Sequence, residues 1–504
     1  MAAEAEGYDV PMSERPIILV SNRGPVGFVD DGQGGFEVVR SGGGLVTALS
    51  GLINLVPAVW ISAAIEDGDA RVAAVGDGAF AVPGDGVDTT GRFVVIDPEV
   101  YERYYNVVAN PMLWFIQHYL WDLSNVPDIR VEELEAWSEG YLVANRQFAD
   151  AVLDVLREHP DSIVMLHDYH LYTAPAIIRE HAPDAFLHFF VHIPWPQPDY
   201  WRVLPPHVRE AVLEGLLAND IVAFHTQRYA RNFLLSCEDL LDLDVDYGSL
   251  TVSYRGRTVL VRHYPISIDA DGFTELAASP AVAEHEATFL RRRRRHLVAR
   301  VDRTDLSKNI LRGFTAFDIF LDRHPEFREE ITFFAMLQPS RQDVPEYVEY
   351  VERITELVSR INTKHGNTDW MPIDLRFESN LPLAVTAYKH FDVMLVNSIF
   401  DGMNLVAKEA ALVNERDGVL ILSENVGAYE EIGAFALGVN PFDVEAQAEA
   451  LHQALTMPHA ERQARADAIR QVINENDIAK WLQTQVADID EARGRAVLPP
   501  EDAT

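Results

Sequence analysis

The chain has 504 residues, 48% apolar and 24% charged, which suits roughly two to four domains and excludes a mainly disordered protein, whose apolar surface would be too small to offset ordering entropy. Its 42 Lys+Arg face 78 Asp+Glu, a net charge of −36, so nucleic acid and anionic membranes are excluded as partners and any anionic ligand needs its own basic pocket. Cys237 is the sole cysteine, which excludes an intrachain disulfide and thiolate metal clusters and suits a cytoplasmic protein; neither a signal peptide nor a membrane span is expected.

The first predicted element is a strand at 16–20, a continuous apolar run of the kind buried on both faces. Similar strands are predicted at 163–167, 187–191 and 221–225, with helical spacing at 139–158, 171–181 and 207–217. The pattern restarts after Tyr264-Pro265-Ile266-Ser267-Ile268-Asp269, with strands at 296–301, 331–336, 373–377, 391–396 and 418–422. Helices are predicted at 310–323, 344–361 and 444–455, and a long helical tract at 455–489. This is α/β architecture in two halves that join near 265–275, and such halves bind ligands at the carboxyl ends of their strands.

Several segments at predicted strand ends carry polar chemistry. Ser21-Asn22-Arg23 follows the first strand, and Ser41-Gly42-Gly43-Gly44-Leu45 precedes an apolar helix. Its glycines read either as a plain turn or as a place where backbone N–H groups approach a phosphate. The spacing is not GxGxxG, so no dinucleotide fingerprint is present. His167-Asp168-Tyr169-His170 and Val191-His192-Ile193-Pro194-Trp195-Pro196 end two consecutive strands; each histidine is either a satisfied structural residue or a group at the cleft. Arg303 and Lys308 stand five apart on a loop that opens a helix, and the chain has only five lysines. Cations there oppose the helix dipole, so a diphosphate site is a better reading than a solvated helix start. Asp401-Gly402-Met403-Asn404-Leu405-Val406 opens another helix that carries Glu409. It reads either as an N-capped helix or as a loop that offers N–H groups to a ligand, with Glu409 accepting from ribose hydroxyls.

Three features invite over-reading. The arginine run 291–295 reads as a solvated helix end in so acidic a chain. Asp242, Asp244 and Asp246 imitate a calcium loop, but Tyr247 stands where that loop needs glycine and Ser253 where it needs glutamate. Tyr104, Tyr105, Trp114, Tyr119 and Trp121 read first as core aromatics.

Together SNR, GGL, YYN…LW, HDYHL, FVHIPWP, YPISID, VDRTDLSKN, QPSR and DGMNLVAKE resemble the trehalose-6-phosphate synthases of glycosyltransferase family 20, over about residues 17–475. The resemblance implies a GT-B fold: two Rossmann-like domains facing a central cleft, 1–268 for the acceptor and 269–475 for the nucleotide sugar. A C-terminal segment, 476–504, would cross back to the first domain. It implies that Arg303 and Lys308 hold the donor diphosphate beside Gly43 and Gly44. Asn404, Leu405 and Val406 would lie on the donor loop, Glu409 on the ribose, and His167 and Asp401 on the transferred glucose. Arg23, Tyr105, Trp114 and Arg341 would form the acceptor pocket, with the two arginines on a phosphate. Glu139 would replace an aspartate usual in these synthases, because Trp137-Ser138-Glu139-Gly140-Tyr141 stands where they read Trp-Asp-x-Tyr. Other departures are HIPWP for HIPFP, and Asn397-Ser398-Ile399-Phe400 for Thr-Pro-Leu-Arg. HIPWPQPDYWRVLP, NSIFDG and LVNERD also look similar to the pseudo-glycosyltransferase that joins cyclitols in validamycin biosynthesis.

The activity so implied is transfer of glucose, with retention, from UDP-glucose or another nucleoside diphosphate glucose to glucose 6-phosphate. Neither metal nor cofactor is implied, and a homo-oligomer is compatible with the family. Three alternatives stay open: another acceptor, as in a glucosylglycerol-phosphate synthase; a cyclitol-coupling pseudo-glycosyltransferase; and a non-catalytic sugar-nucleotide-binding subunit.

Overall fold

The computed structural model describes residues 17–41, 46, 49, 57–75, 78–83, 89–342 and 344–497. In its first half lie β1 (Ile17–Val20), β2 (Val26–Asp30), β3 (Phe36–Arg40), β4 (Ala58–Ala63), β5 (Ala79–Ala81), β6 (Thr89–Val94), β7 (Ile163–His167), β8 (Phe186–Phe190), β9 (Ile221–Phe224), β10 (Val245–Asp246), β11 (Thr251–Tyr254) and β12 (Arg257–His263). All but the β2–β3 hairpin form one sheet, ordered β10-β11-β12-β9-β8-β7-β1-β4-β6-β5. The strands from β12 to β6 in that order are parallel, with Ile17 registered on both Ala58 and Ile163. β1, β7 and β9 are buried along their whole length, as strands covered on both faces must be.

The second half holds β13 (His296–Arg303), β14 (Ile331–Gln338), β15 (Ile373–Phe377), β16 (Val393–Val396), β17 (Val419–Ser423) and β18 (Leu437–Val439). They form an all-parallel sheet ordered β15-β14-β13-β16-β17-β18. The predicted strands of both halves are present, displaced by a residue or two. The helix predicted at 139–158 begins as a wide π turn, Ala136–Tyr141, and continues as an α-helix, Leu142–Glu158.

The final helix, Ile478–Val497, returns to the first half. Trp481 donates from Nε1 to the Tyr264 carbonyl (3.2 Å) and packs on Phe190, while Asp488 accepts from the Tyr264 hydroxyl (2.7 Å) and pairs with Arg262 (3.3 Å). One apolar cluster therefore runs from Leu19 and Phe190 of the first sheet through Trp481 to Leu297 and Met394 of the second. Among the described residues no helix is long and apolar enough to cross a membrane.

Candidate active site

The carboxyl end of β1 sets the first wall. Ser21 accepts from Trp60 Nε1 (2.8 Å) and donates to the Arg23 carbonyl (2.8 Å), while Asn22 bonds the hydroxyls of Tyr101 and Tyr104. Two buried anchors thus fix the loop and leave the Arg23 side chain exposed. β7 ends at His167, which is fully buried. Asp168 follows with φ 73°, a left-handed turn that aspartate tolerates better than most residues. Its N–H bonds the Phe190 carbonyl (2.8 Å) and its Oδ1 accepts from the His192 N–H (3.3 Å), so the ends of β7 and β8 are tied together.

His167 Nδ1 lies 3.1 Å from His192 Nε2. Burial holds His167 neutral, with its pKa lowered to about 3, and lowers that of His192 well below the usual imidazole value. Among the described residues His167 Nε2 has no partner; a buried ring nitrogen of this kind is the group a ligand hydroxyl would satisfy. Burial also raises the Asp168 carboxyl to about 7.

Aromatic rings line the same wall. Tyr105 stacks on His170 (5.7 Å, 10°) and Trp114 on His118 (3.9 Å, 26°). They ride on a π-helical segment, Arg103–Trp114, that contains Pro111. Proline has no N–H to donate to a regular α ladder, and such widened turns gather at functional sites. His118 is buried and neutral, with its pKa lowered to about 4 by desolvation, although Asp401 pulls the other way.

The second wall comes from the ends of β13 and β14. Asp305, fully buried, pairs with Arg303 (2.5 Å) and with Arg341 (3.1 Å). Burial would raise its pKa, but Arg303, Arg341 and Lys308 outweigh that and hold it at about 2. Arg341 sits at φ 47°, its guanidinium 4.0 Å over the Trp114 ring and bonded to Asn110 (3.0 Å) and Tyr169 (3.3 Å) of the first half. Arg303 also overhangs Trp114, at 5.8 Å. The two walls therefore meet over that indole.

Lys308 donates from Nζ to Asp401 (2.6 Å), and both side chains are 14% exposed. Burial disfavours the ammonium, yet Asp401 and Asp302 keep the Lys308 pKa raised. Asn404 Nδ2 also donates to Asp401 (3.0 Å), while the Asn404 backbone takes φ 66° as N-cap of the helix Leu405–Val413. The first N–H groups of that helix, at Leu405 and Val406, have no intrahelical acceptor. Gly402 lies so close to the first half that a Cβ there would stand 2.0 Å from the His192 carbonyl oxygen. One turn into the helix is Glu409, half-buried, its carboxyl raised by desolvation to about 7.

The structure thus gathers His167, Tyr105, Trp114, Arg303, Lys308, Arg341, Asp401 and Asn404 around one cleft, with Arg23 at its edge. Arg23 and Arg341 both add to the burial that lowers the His170 pKa to about 3. Gly43 and Gly44 lie outside the described residues. Glu139 is not drawn into this cluster: it is exposed and pairs with Arg103, while its neighbour Trp137 is buried against Tyr141 (4.8 Å). Lys408 of the DGMNLVAKE segment is a buried strut, bonded to Glu431 (2.7 Å) and the Ile266 carbonyl (2.9 Å). Asp305, Asn110, Tyr347 and His118 were not singled out from the sequence. Only Asp305 had a clear signal, as an acid lodged between Arg303 and one of the chain's five lysines.

Among the described residues, three groups of histidine and carboxylate lie elsewhere on the second half: Glu286/His390/Glu415, Asp318/Asp322/His365 and His324/Glu326/His452. In the first, Lys389 already sits 3.2 Å from Glu286 and 3.3 Å from Glu415. In the second, Lys364 sits 2.9 Å from Asp318 and 2.5 Å from Asp322. In the third, the two imidazoles stack face to face at 3.8 Å, so their in-plane lone pairs run side by side and do not converge on one ion.

Two largely parallel sheets that meet over a cationic cleft, tied by a returning C-terminal helix, form the GT-B architecture. The sequence comparisons narrow the class. The profile described as Glycosyltransferase family 20 matches residues 15–491. The α,α-trehalose-phosphate synthase [UDP-forming] of Schizosaccharomyces pombe is 34% identical over 493 residues, covering 95% of this chain and 91% of its own. The validamine 7-phosphate valienyltransferase of Streptomyces hygroscopicus subsp. jinggangensis is 33% identical over 449 residues, 88% of this chain and 87% of its own. The crystal structure of an α,α-trehalose-phosphate synthase (UDP-forming) from Burkholderia xenovorans, in complex with glucose-6-phosphate, superposes with a TM-score of 0.80 at 28% identity, covering 94% of this chain and all of its own. The chain belongs to glycosyltransferase family 20.

Proposed function

We propose that the protein transfers glucose from UDP-glucose, or another nucleoside diphosphate glucose, to glucose 6-phosphate and forms α,α-trehalose 6-phosphate. The observation that carries this reading is the placement of Arg303 and Lys308 beside the N-terminus of the Asn404-capped helix, opposite the neutral His167. Two cations and a helix start suit a diphosphate, and an uncharged imidazole suits a sugar hydroxyl. The UDP-forming name of the S. pombe relative and the glucose-6-phosphate in the B. xenovorans structure support the choice of donor and acceptor.

In the proposed step the bond between the glucose anomeric carbon and the diphosphate oxygen breaks. A bond to the anomeric oxygen of glucose 6-phosphate forms on the same face, and the acceptor proton passes to the leaving diphosphate. Arg303 and Lys308 stabilise charge as it builds on that leaving group. Asp401 keeps Lys308 oriented, and His167 orients the transferred sugar. On this reading the two cations do the work for which other transferases use a metal, and the protein acts in the cytoplasm, where the buried Cys237 thiol stays reduced.

The test is product identity. The purified protein, incubated with UDP-, ADP- or GDP-glucose and glucose 6-phosphate, is expected to yield a phosphorylated disaccharide by mass spectrometry, at the same rate with and without EDTA. Absence of that product, with all three donors, overturns the reading; loss of rate in EDTA overturns its metal-free part. The valienyltransferase similarity favours one second reading, C–N coupling of cyclitols. An amine-bearing cyclitol phosphate that outcompetes glucose 6-phosphate as acceptor would establish it.

Glu409 gives a pH signature. A ribose hydroxyl donates to the ionised carboxylate, so binding favours loss of the proton held at a pKa of about 7. The advantage of wild type over Glu409→Gln in UDP affinity is therefore expected to grow as pH rises from 6 to 8. Calorimetric titration checks it; a ratio flat with pH removes Glu409 from the ribose site.

A further inference from the structure

Phe400 immediately precedes Asp401 and crosses the cleft. Its ring lies 4.4 Å from Tyr119 at 31°, and Tyr119 lies 4.6 Å from Tyr200 at 35°. On Phe400 rests the guanidinium of Arg228, 5.2 Å from the ring centroid. Tyr119, Tyr200 and Arg228 belong to the half built on the first sheet, and Phe400 to the half built on the second. One ring of the second half is thus held between a tyrosine stack and an arginine of the first.

The receiving platform is built with care for position. Tyr119 takes φ 55°, a conformation that costs an aromatic residue energy and persists only where its surroundings enforce it. Its hydroxyl accepts from the Gln197 N–H (2.9 Å), and the Tyr200 hydroxyl accepts from the Trp121 N–H (3.2 Å). On the other side, Tyr229 donates its hydroxyl to the Asp401 carbonyl (2.9 Å), and Arg228 reaches Asn425 (3.4 Å). The last two contacts join the halves, and the Tyr229 bond falls on the peptide that carries the Asp401 carboxylate to Lys308.

We infer that Phe400 is a positioning residue of the transfer reaction: clamped between Tyr119 and Arg228, its ring holds the cleft closed and seats Asp401 against Lys308. The inference rests on the glucosyl-transfer reading for its kinetics and on the geometry alone for its effect on binding. A stacked ring pair and a cation over a ring each contribute modestly, and together they shift a closed-to-open ratio by about tenfold. In a free protein that is mostly open, the closed fraction falls with that ratio and weakens every ligand that needs the closed form by about the same tenfold.

Five forms of the full-length protein test this: wild type, Phe400→Ala, Phe400→Tyr, Arg228→Ala and the Phe400→Ala/Arg228→Ala double variant. Phe400→Ala is expected to raise KM for donor and acceptor together by about tenfold, and to weaken UDP binding in calorimetry by a similar factor. Phe400→Tyr keeps the ring and should stay within about twofold of wild type. The double variant should lose less than the product of the two single losses, because both remove one contact. Phe400 is only half-buried, so the melting temperature should hardly move. Unchanged KM values and UDP affinity in Phe400→Ala overturn the inference. So does a loss confined to kcat that tracks a lower melting temperature, and so does full additivity in the double variant. A wild-type protein that makes no trehalose 6-phosphate overturns the functional reading instead, and the UDP titrations then still decide the clamp.

Discussion

Lys308→Ala is expected to lower kcat by on the order of 10²–10³, the cost of removing one preorganised group that faces charge building on a leaving group. The side chain is well placed for that role. It follows β13 in a 3₁₀ turn, Leu306–Lys308, and its carbonyl accepts from Arg300 (2.8 Å), itself fully buried. Asn309, at φ 58°, then bonds the Asn397 and Pro441 carbonyls, which fixes where the turn ends. The ammonium is thus preorganised and partly desolvated, the condition in which a single charge acts most strongly. Its removal also strands Asp401, whose carboxyl Lys308 holds below the ordinary range against the effect of burial. In the variant that carboxyl should titrate upward. Arg303→Ala should cost a similar factor in kcat with less effect on stability, because the Arg303 side chain is 46% exposed. Lys308→Arg should not rescue, since a planar fork does not fit where one ammonium bonds one carboxylate oxygen. Steady-state kinetics with thermal melts check all three. Near-normal turnover in both alanine variants would remove the cation pair from the chemistry.

Much of this arrangement was legible in the sequence because buried parallel strands write themselves as unbroken apolar runs, and the residues just after them fall at the cleft. That logic places Ser21-Asn22-Arg23, His167, Arg303 and Asp401 at strand ends. It missed β4, Ala58–Ala63, although that strand is buried along nearly all of its length, and it missed strands that are not buried on both faces. The hairpin Val26–Asp30 and Phe36–Arg40 and the meander Thr251–Tyr254 and Arg257–His263 are partly exposed and mix apolar with polar or charged residues. It also failed where a role exists only in three dimensions. Asp305 bridges Arg303 to an arginine 36 positions away, and His118 matters because Trp114, Asp401 and Arg341 converge on it. The arginine run 291–295 caps the helix Pro280–Arg292 as read, but Arg293 is an anchor, paired with the buried Asp392. Glu139 is a position read from likeness to related sequences; its side chain is exposed and pairs with Arg103.

Arg341→Ala is expected to lower kcat/KM for glucose 6-phosphate by about 10³, more than Arg23→Ala, and to destabilise the fold as well. The two arginines are not equivalent partners for a phosphate. Arg341 is 8% exposed, and its Nε bonds Asn110, its Nη1 bonds both Asp305 and Tyr347 (2.8 Å), and its Nη2 bonds Tyr169. Guanidinium carries five N–H groups, so one remains for a ligand. Its other contribution is field: a fixed positive charge stacked on Trp114 at the junction of the two walls. Arg23 is exposed and can offer its whole fork. Arg23→Ala should therefore raise KM for glucose 6-phosphate with kcat nearly kept, the mark of lost ground-state binding. Arg341→Ala removes a buried charge partner and leaves Asp305 with fewer cations; breaking such a pair costs about 3–5 kcal/mol. Arg341→Lys should recover little, because a point charge cannot serve Asn110, Asp305 and Tyr347 at once. The decisive measurement is the ratio of kcat/KM for glucose 6-phosphate to that for glucose, in wild type and in both alanine variants. The ratio should be large in wild type and collapse in each variant, with donor KM steady in Arg23→Ala. A wild-type ratio near one would mean that this pocket does not read a phosphate, and would turn the acceptor assignment toward the cyclitol-coupling relative.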